Sequence, residues 1–431
     1  MINLDEIKHY IKHNVENQKP PHSLIEKYRK AVGVYNNSQL LSERTILENC
    51  NKGVVFISDR PNYFFLRMSI ALRKRGIVTT LITRWGVEAC QTKFFSSILL
   101  YNRISELQLL KVCENATLYI QSWVGWNFLP VFIHLFFSGK IYCNINDISN
   151  ILFDDVENLR LLGLSPADVE MDLLCEKYLL KKCSYVTTSY QEKSLELIKN
   201  KIGSNGKSNI LTFPCYPECT FFYRNSRKFS KPAHLFYAGM LPSDDKPDRV
   251  FGDAKMHKII PILLKKQLSV TIFNNPQTIR LDNPNELSVK YPFFSRLADN
   301  NPNFVLKMGC GPWELKQYAG KFHFGFIIYD YDNQLLISKN HYENFIPTKM
   351  FTYVEMGLPL IVIDKLKAAA DFVKKYGIGI VVSKNELKNI EGLLDVSQES
   401  YDELCLNIQT CRHKINMDTM INELGFLFYD P

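Results

Sequence analysis

Two periods alternate along the chain. Short, nearly unbroken apolar runs read as strands buried on both faces. The stretches between them, with apolar residues returning every three or four positions, read as amphipathic helices. GVVFISDRP (53–61) gives a strand and a loop, NYFFLRMSIALRKRG (62–76) a helix closed by glycine, and IVTTLIT (77–83) a second strand. Strand–helix–strand is the unit of a parallel sheet. The alternation continues with strands at 116–123, 140–147, 184–189 and 210–215 and helices at 128–138, 171–183 and 191–200. Residues 1–49 read as mostly helical and polar, broken at Lys19, Pro20 and Pro21.

Residues 216–232 are irregular, basic and proline-bounded, the composition of a linker, and beyond them the pattern restarts. Strands are expected at 234–239, 268–274, 304–309, 323–330, 360–364 and 377–383, with a helix at 250–266. At 431 residues the chain exceeds one ordinary core. The expectation is α/β: two doubly wound halves, residues 1–228 and 229–405, with a helical segment at 406–431 returning to the first. Ligands of such sheets bind at the carboxyl ends of the strands, so a cleft between the two halves is the expected site.

One stretch carries chemistry, NFIPTKMFTYVEMGLPLIVID (344–364). Its pattern predicts a helix over 348–356, ended by Gly357 in a left-handed cap, barred from resuming by Pro359, and followed by a buried strand. Lys349 falls in the first helical turn, where the helix dipole favours negative charge. A lysine beside free helix-end amides suits a phosphate group, although a solvated surface lysine is the bland alternative.

Composition narrows the classes. A hydrophobic content of 46% and a charged content of 22% are those of a globular protein. The net charge of +8 fits an anionic ligand or an acidic membrane surface, but no lysine/arginine run or nucleic-acid signature accompanies it. The 11 cysteines are scattered. Neither Cys215 with Cys219 nor Cys405, Cys411 and His413 has the second ligand pair of a structural zinc site, so no metal is expected and a reducing cytoplasm is. The polar N-terminus is not a signal peptide, and the longest apolar run, 128–137, is half the ~20 residues a membrane span needs. GSNGKS (203–208) lacks the first glycine of a phosphate-binding P-loop, since position 201 is Lys201. No G-x-G-x-x-G follows the first strand of either half and no G-x-S-x-G is present, which disfavours dinucleotide dehydrogenases and the simplest hydrolases.

The second half resembles the nucleotide-sugar-dependent glycosyltransferases of the two-Rossmann (GT-B) fold. Their pattern P-x-K-x-x-E-Y-x-x-x-G-x-P is matched by Pro347, Lys349, Tyr353, Gly357 and Pro359. YAGMLPSDDK (237–246) is similar to the family's first strand-loop of that half, and KMGCGPWEL (307–315) to its G-x-G loop. CEKYLLKKCSYVTTSYQ (175–191) is similar to a helix–strand segment of the other half. The resemblance implies two Rossmann-like domains facing a cleft, with donor contacts from Gly239, Met240, Lys246, Gly309, Gly311, Pro347, Thr348, Lys349, Thr352 and Tyr353. In it Gly239 and Gly311 let backbone amides approach the diphosphate; as bland alternatives they are turn glycines. The chain departs from the family where a glutamate usually holds the ribose, which is Thr352 here, and where many retaining members carry an acid, which is Asn344. Thr352 cannot accept from two ribose hydroxyls as a carboxylate does.

The expected activity is transfer of a sugar from a nucleotide-diphospho-sugar, UDP-linked, to a hydroxyl of a glycan or lipid-linked acceptor in surface polysaccharide synthesis. It is expected to invert the anomeric centre and to need no metal or other cofactor. Asp147, ending the strand 140–147, is the expected general base and Asp59 its rival; the bland roles are a turn cap and a loop-shaping residue. Glu355 reads as a solvated or inter-domain charge. Arg67, Arg73, Lys74 and Arg75 together with segment 128–137 suggest a peripheral membrane anchor, beside the alternative of an exposed basic face and a buried core helix. A nucleotide-sugar epimerase and a non-catalytic nucleotide-sugar-binding protein are the competing functions.

Overall fold

The computed structural model describes the chain apart from residues 1–3, 17–21, 32–37, 114, 203–209, 225–226, 242–255, 275–285, 330–335 and 425–431. The chain forms two compact units, Met1–Cys215 with Met417–Pro431, and Tyr216–Asn416. The division falls before the expected boundary at 228, because Tyr216 and Glu218 pack on the second unit: Tyr216 against Phe351, Glu218 through its amide to the Glu355 carboxylate at 2.8 Å.

The first unit holds strands β1 (Gln39–Leu40), β2 (Val54–Ser58), β3 (Thr79–Thr83), β4 (Ser97–Leu100), β5 (Thr117–Ser122), β6 (Lys140–Ile145), β7 (Tyr185–Thr188) and β8 (Ile210–Thr212). They form one parallel sheet in the order β1-β4-β3-β2-β5-β6-β7-β8. The second unit holds β9 (His234–Gly239), β10 (Ser269–Asn274), β11 (Phe304–Met308), β12 (Phe324–Ile327), β13 (Leu360–Ile363) and β14 (Gly379–Val382). Its parallel sheet runs β11-β10-β9-β12-β13-β14. The architecture is α/β and doubly wound. The order reverses between β2 and β5 in one sheet and between β9 and β12 in the other, and such switch points open ligand crevices at the strand carboxyl ends.

Local chemistry sets the elements. Every residue of β2 and β13 is buried, as in a sheet covered on both faces. Asn62 caps the helix Tyr63–Lys74 by accepting from Phe64 N, and Ser165 with Asp168 forms a capping box at Pro166–Lys182. Gly357, at φ 68°, ends the helix Thr348–Met356 in the left-handed region.

Three expectations change. β6 stops at Ile145, so Asp147 stands in the loop beyond it. Part of the suggested anchor is used internally: Phe128–Ile133 of the helix Phe128–His134 are buried, and Arg67 is fully buried and donates to Cys215 Sγ at 2.9 Å, whereas Arg73 is exposed. Lys74 pairs with Asp418 at 2.9 Å and Arg75 donates to the Asp418 carbonyl, which fastens the helix Met417–Glu423 to the first unit. The helix Gln398–Lys414 stays with the second unit, so the returning segment starts at Met417 and not at 406. No described helix is long and apolar enough to cross a membrane.

Candidate active site

The second unit gathers its chemistry where its strand order reverses. The helix Thr348–Met356 starts at Pro347 with no side-chain cap and no acid in its first turn. Lys349 reaches from that turn to the end of β9. Its Nζ donates to Tyr237 Oη at 2.8 Å, sits 4.4 Å from the Tyr237 ring centre, and lies 4.8 Å from the ring centre of Tyr329 just past β12. Both contacts place aromatic faces against a cation. Gly239 makes room for the ammonium, since a Cβ there would stand 3.1 Å from Nζ.

Tyr353, one turn on from Lys349, is fully buried and bridges the two strands: its hydroxyl accepts from Ala238 N at 3.1 Å and donates to the Phe326 carbonyl at 3.3 Å. Thr352 is buried in the same helix, and Met240 is exposed with its carbonyl accepting from Tyr237 at 3.1 Å. The other expected donor contacts divide. The Gly309 amide donates to the Asn274 carbonyl at 2.6 Å and is committed within the sheet end. Gly311 lacks a side chain for packing reasons, as a Cβ would overlap the Trp313 ring at 2.1 Å. Pro347 and Thr348 flank the helix start, and Lys246 lies outside the described residues. Glu355 is a correction: it is 1% exposed and its carboxylate caps the Glu218 amide, so it is neither solvated nor free to act as a surface charge. Asn344 turns back on its own helix, donating to the Asn340 carbonyl at 2.9 Å.

In the first unit Asp147 is half-buried, two residues beyond β6, and burial lifts its carboxyl to about 6. Tyr190 lies within reach of its charge: burial first, then Asp147 and Glu176, push the phenol well up. Asp59 is differently placed. It is buried and accepts from Arg84 Nε at 2.5 Å, Arg84 Nη2 at 3.2 Å, Trp85 Nε1 at 3.1 Å and Tyr101 Oη at 3.2 Å. Four donors occupy that carboxylate, which pins the ends of β2, β3 and β4 together. Among the described residues no group of three or more His, Cys, Asp or Glu is placed to hold a metal.

Residues 274–424 match the family model described as glucosyltransferase 3-like, C-terminal domain. The solved structure of Anabaena HepE in complex with UDP aligns at 10% identity and a TM-score of 0.54, covering 86% of this chain and 98% of that one. WaaG, a glycosyltransferase involved in lipopolysaccharide biosynthesis, aligns at 11% identity and 0.55, covering 88% and 100%. A glycosyltransferase from Rickettsia africae aligns at 10% and 0.54, covering 91% and 98%. At such identities the likeness is one of fold. No curated protein matches the chain. Residues 274–424 are thus similar to a glucosyltransferase C-terminal domain, and the chain as a whole shares the GT-B fold of these structures.

Two residues in contact with Lys349 escape a motif search, Tyr237 and Tyr329. A signal for the first exists in HLFYAG: the period of two puts Tyr237 and Gly239 on one face of β9, pointing the same way at the strand end. Tyr329 meets Lys349 only through the pairing of β9 with β12.

Proposed function

We propose that the chain is a glycosyltransferase that transfers a hexosyl group, with glucose the first to test, from a UDP-sugar to a hydroxyl of a glycan or lipid-linked glycan in surface polysaccharide synthesis. The observation that carries the reading is the Lys349 ammonium at an uncapped helix start beside the switch point of the second sheet. Two further facts support it: the glucosyltransferase 3-like match, and the structures of HepE, which hold UDP and UDP with glucose.

The chemistry is an in-line displacement without metal. The acceptor oxygen forms the new bond to the anomeric carbon as the bond from that carbon to the diphosphate oxygen breaks. Asp147 takes the acceptor proton, and UDP leaves with its developing charge against Lys349 and the first-turn amides. A fixed cation there needs no reorganisation during the reaction and is worth more than in water.

The test is incubation with UDP-glucose and detection of UDP, alongside thermal shifts with UDP, GDP, CMP and dTDP sugars. Saturating native-state ligand at 100 times its dissociation constant raises stability by ~2.7 kcal/mol. Slow release of UDP and glucose without acceptor is the expected result. An epimerised nucleotide sugar, or stabilisation by another nucleotide alone, overturns the donor assignment.

A further inference from the structure

Lysine is a poor fixed charge. Its four-carbon stem samples many rotamers, and a compact ammonium with three donors has no preferred direction. In the structure the Lys349 ammonium is seated against the rings of Tyr237 and Tyr329, and it donates a hydrogen bond to Tyr237. The Tyr237 side chain is 1% exposed, near the end of β9, and packs against Phe326 of β12 with ring centres 5.5 Å apart. Its single hydroxyl proton goes to the Met240 carbonyl at 3.1 Å. With that proton committed, the hydroxyl's lone pairs are what it presents to Lys349 Nζ at 2.8 Å, over the same ring face the ammonium rests on at 4.4 Å. Gly239 closes the seat from another side: an added Cβ would stand 3.1 Å from Nζ and 3.2 Å from Tyr237 Oη.

We propose that Tyr237 is the positioning residue for Lys349: it orders the ammonium by one directed hydrogen bond and a ring face, and its own hydroxyl is held in turn by the Met240 carbonyl just past β9. The inference rests on Lys349 being the cation that receives the donor's diphosphate. Its consequence is a cation oriented before the nucleotide sugar arrives, so that ordering is not charged against binding or the transition state.

The test is a pair of cycles. Tyr237→Phe keeps the ring and its burial and removes both hydrogen bonds. Gly239→Ala reaches the same ammonium by a steric push, at a backbone angle outside the left-handed region. Each is measured alone and with Lys349→Met, for kcat and KM on UDP-glucose, for UDP affinity by calorimetry, and for melting temperature. Tyr237→Phe is expected to lower kcat/KM about tenfold, the worth of one hydrogen bond to a charged group, and Gly239→Ala to do similarly. Both losses should shrink to within about twofold when Lys349 is already methionine, because nothing remains to position. A loss of equal size in both backgrounds means Tyr237 is only structural and overturns the inference, as does full activity of Tyr237→Phe. Should Tyr237→Phe fail to fold, Gly239→Ala carries the same comparison. If Lys349→Met itself turns over normally, the donor reading has failed, a result distinct from additive losses with Lys349 essential.

Discussion

Tyr353 lies directly across Gly325: a Cβ on Gly325 would stand 2.4 Å from Tyr353 Cγ. The absence of that one carbon lets the ring slide over β12, where its hydroxyl reaches both the Ala238 amide and the Phe326 carbonyl. The helix bearing Lys349 is thereby fastened to the two strands that flank the switch point.

Gly325→Ala therefore has nowhere to put its methyl except into a buried aromatic ring. Overpacking of this kind costs about 1–3 kcal/mol, and displacement of Tyr353 should move Lys349 with it. A lowered melting temperature together with weakened UDP affinity is expected. Tyr353→Phe should separate the effects: the ring stays and the half-buried Ala238 amide loses its acceptor, at about 1 kcal/mol. A Gly325→Ala protein of unchanged stability would mean that the helix does not rest on this contact.

Lys349→Ala should fold and lose most donor turnover. Removing a charge-preorganised partner of a leaving group typically costs on the order of 10²–10³ in rate. Normal UDP release by a folded variant would show that the diphosphate lies elsewhere.

The sequence made the helix Thr348–Met356, its glycine stop and the strand after it readable to the residue, because a cap, a breaker and an apolar period coincide there. The tandem α/β pattern was equally readable. Other features are set by tertiary contact. β1 has two residues and takes its place only from pairing with β4. The arginine at position 67 looks like part of a basic face, yet it is buried and donates to Cys215, and Glu355 looks solvated until Glu218 arrives from the start of the second unit. Asp59 and Asp147 occupy similar sequence contexts, an acid after an apolar strand. What separates them is Arg84, Trp85 and Tyr101, brought to Asp59 by the order of the sheet.

Buried acids in the first unit give a pH signature. Burial raises Glu176 from 4.5 to about 7, with hydrogen bonds from Ser149 N and Oγ at 2.8 Å opposing it. A folded-state pKa above the unfolded one means that the native protein holds the proton more tightly. This contribution to stability is full below about 4.5 and is lost as pH rises through about 7. Glu176→Gln keeps an oxygen for Ser149 and has no proton to lose. Its melting temperature relative to the natural protein should rise with pH between about 5 and 8, and parallel curves would reject the buried-acid account.

Turnover should persist in EDTA, because the described residues offer no three-ligand cluster and Lys349 can supply the charge a metal would. Asp330 and Asp332 lie outside the described residues. Complete, metal-reversible loss of activity would point to them as ligands.

Asp147 carries the riskiest prediction, that it is the base and that the product is inverted. Its carboxylate is half-buried beyond β6, and among the described residues no donor competes for it as four do for Asp59. Burial raises it to about 6, close to the pH at which a base is both ionised and basic. Since the base must be ionised, kcat should fall about tenfold per unit as pH drops below about 6, and be level above it. Asp147→Asn keeps the shape and removes the basicity, so UDP affinity should hold while transfer falls by roughly 10²–10⁴ and the acidic limb disappears. NMR of the product anomer tests the stereochemistry independently. Asn344 and Thr352 replace acids that the resemblance associates with the retaining branch, which favours a product of configuration opposite to the donor. A product that keeps the donor's configuration, or an Asp147→Asn enzyme at full speed, removes Asp147 from the mechanism. Asp59 could then serve only if its four donors let go, and Asp59→Asn would show that through loss of folding as well as of rate.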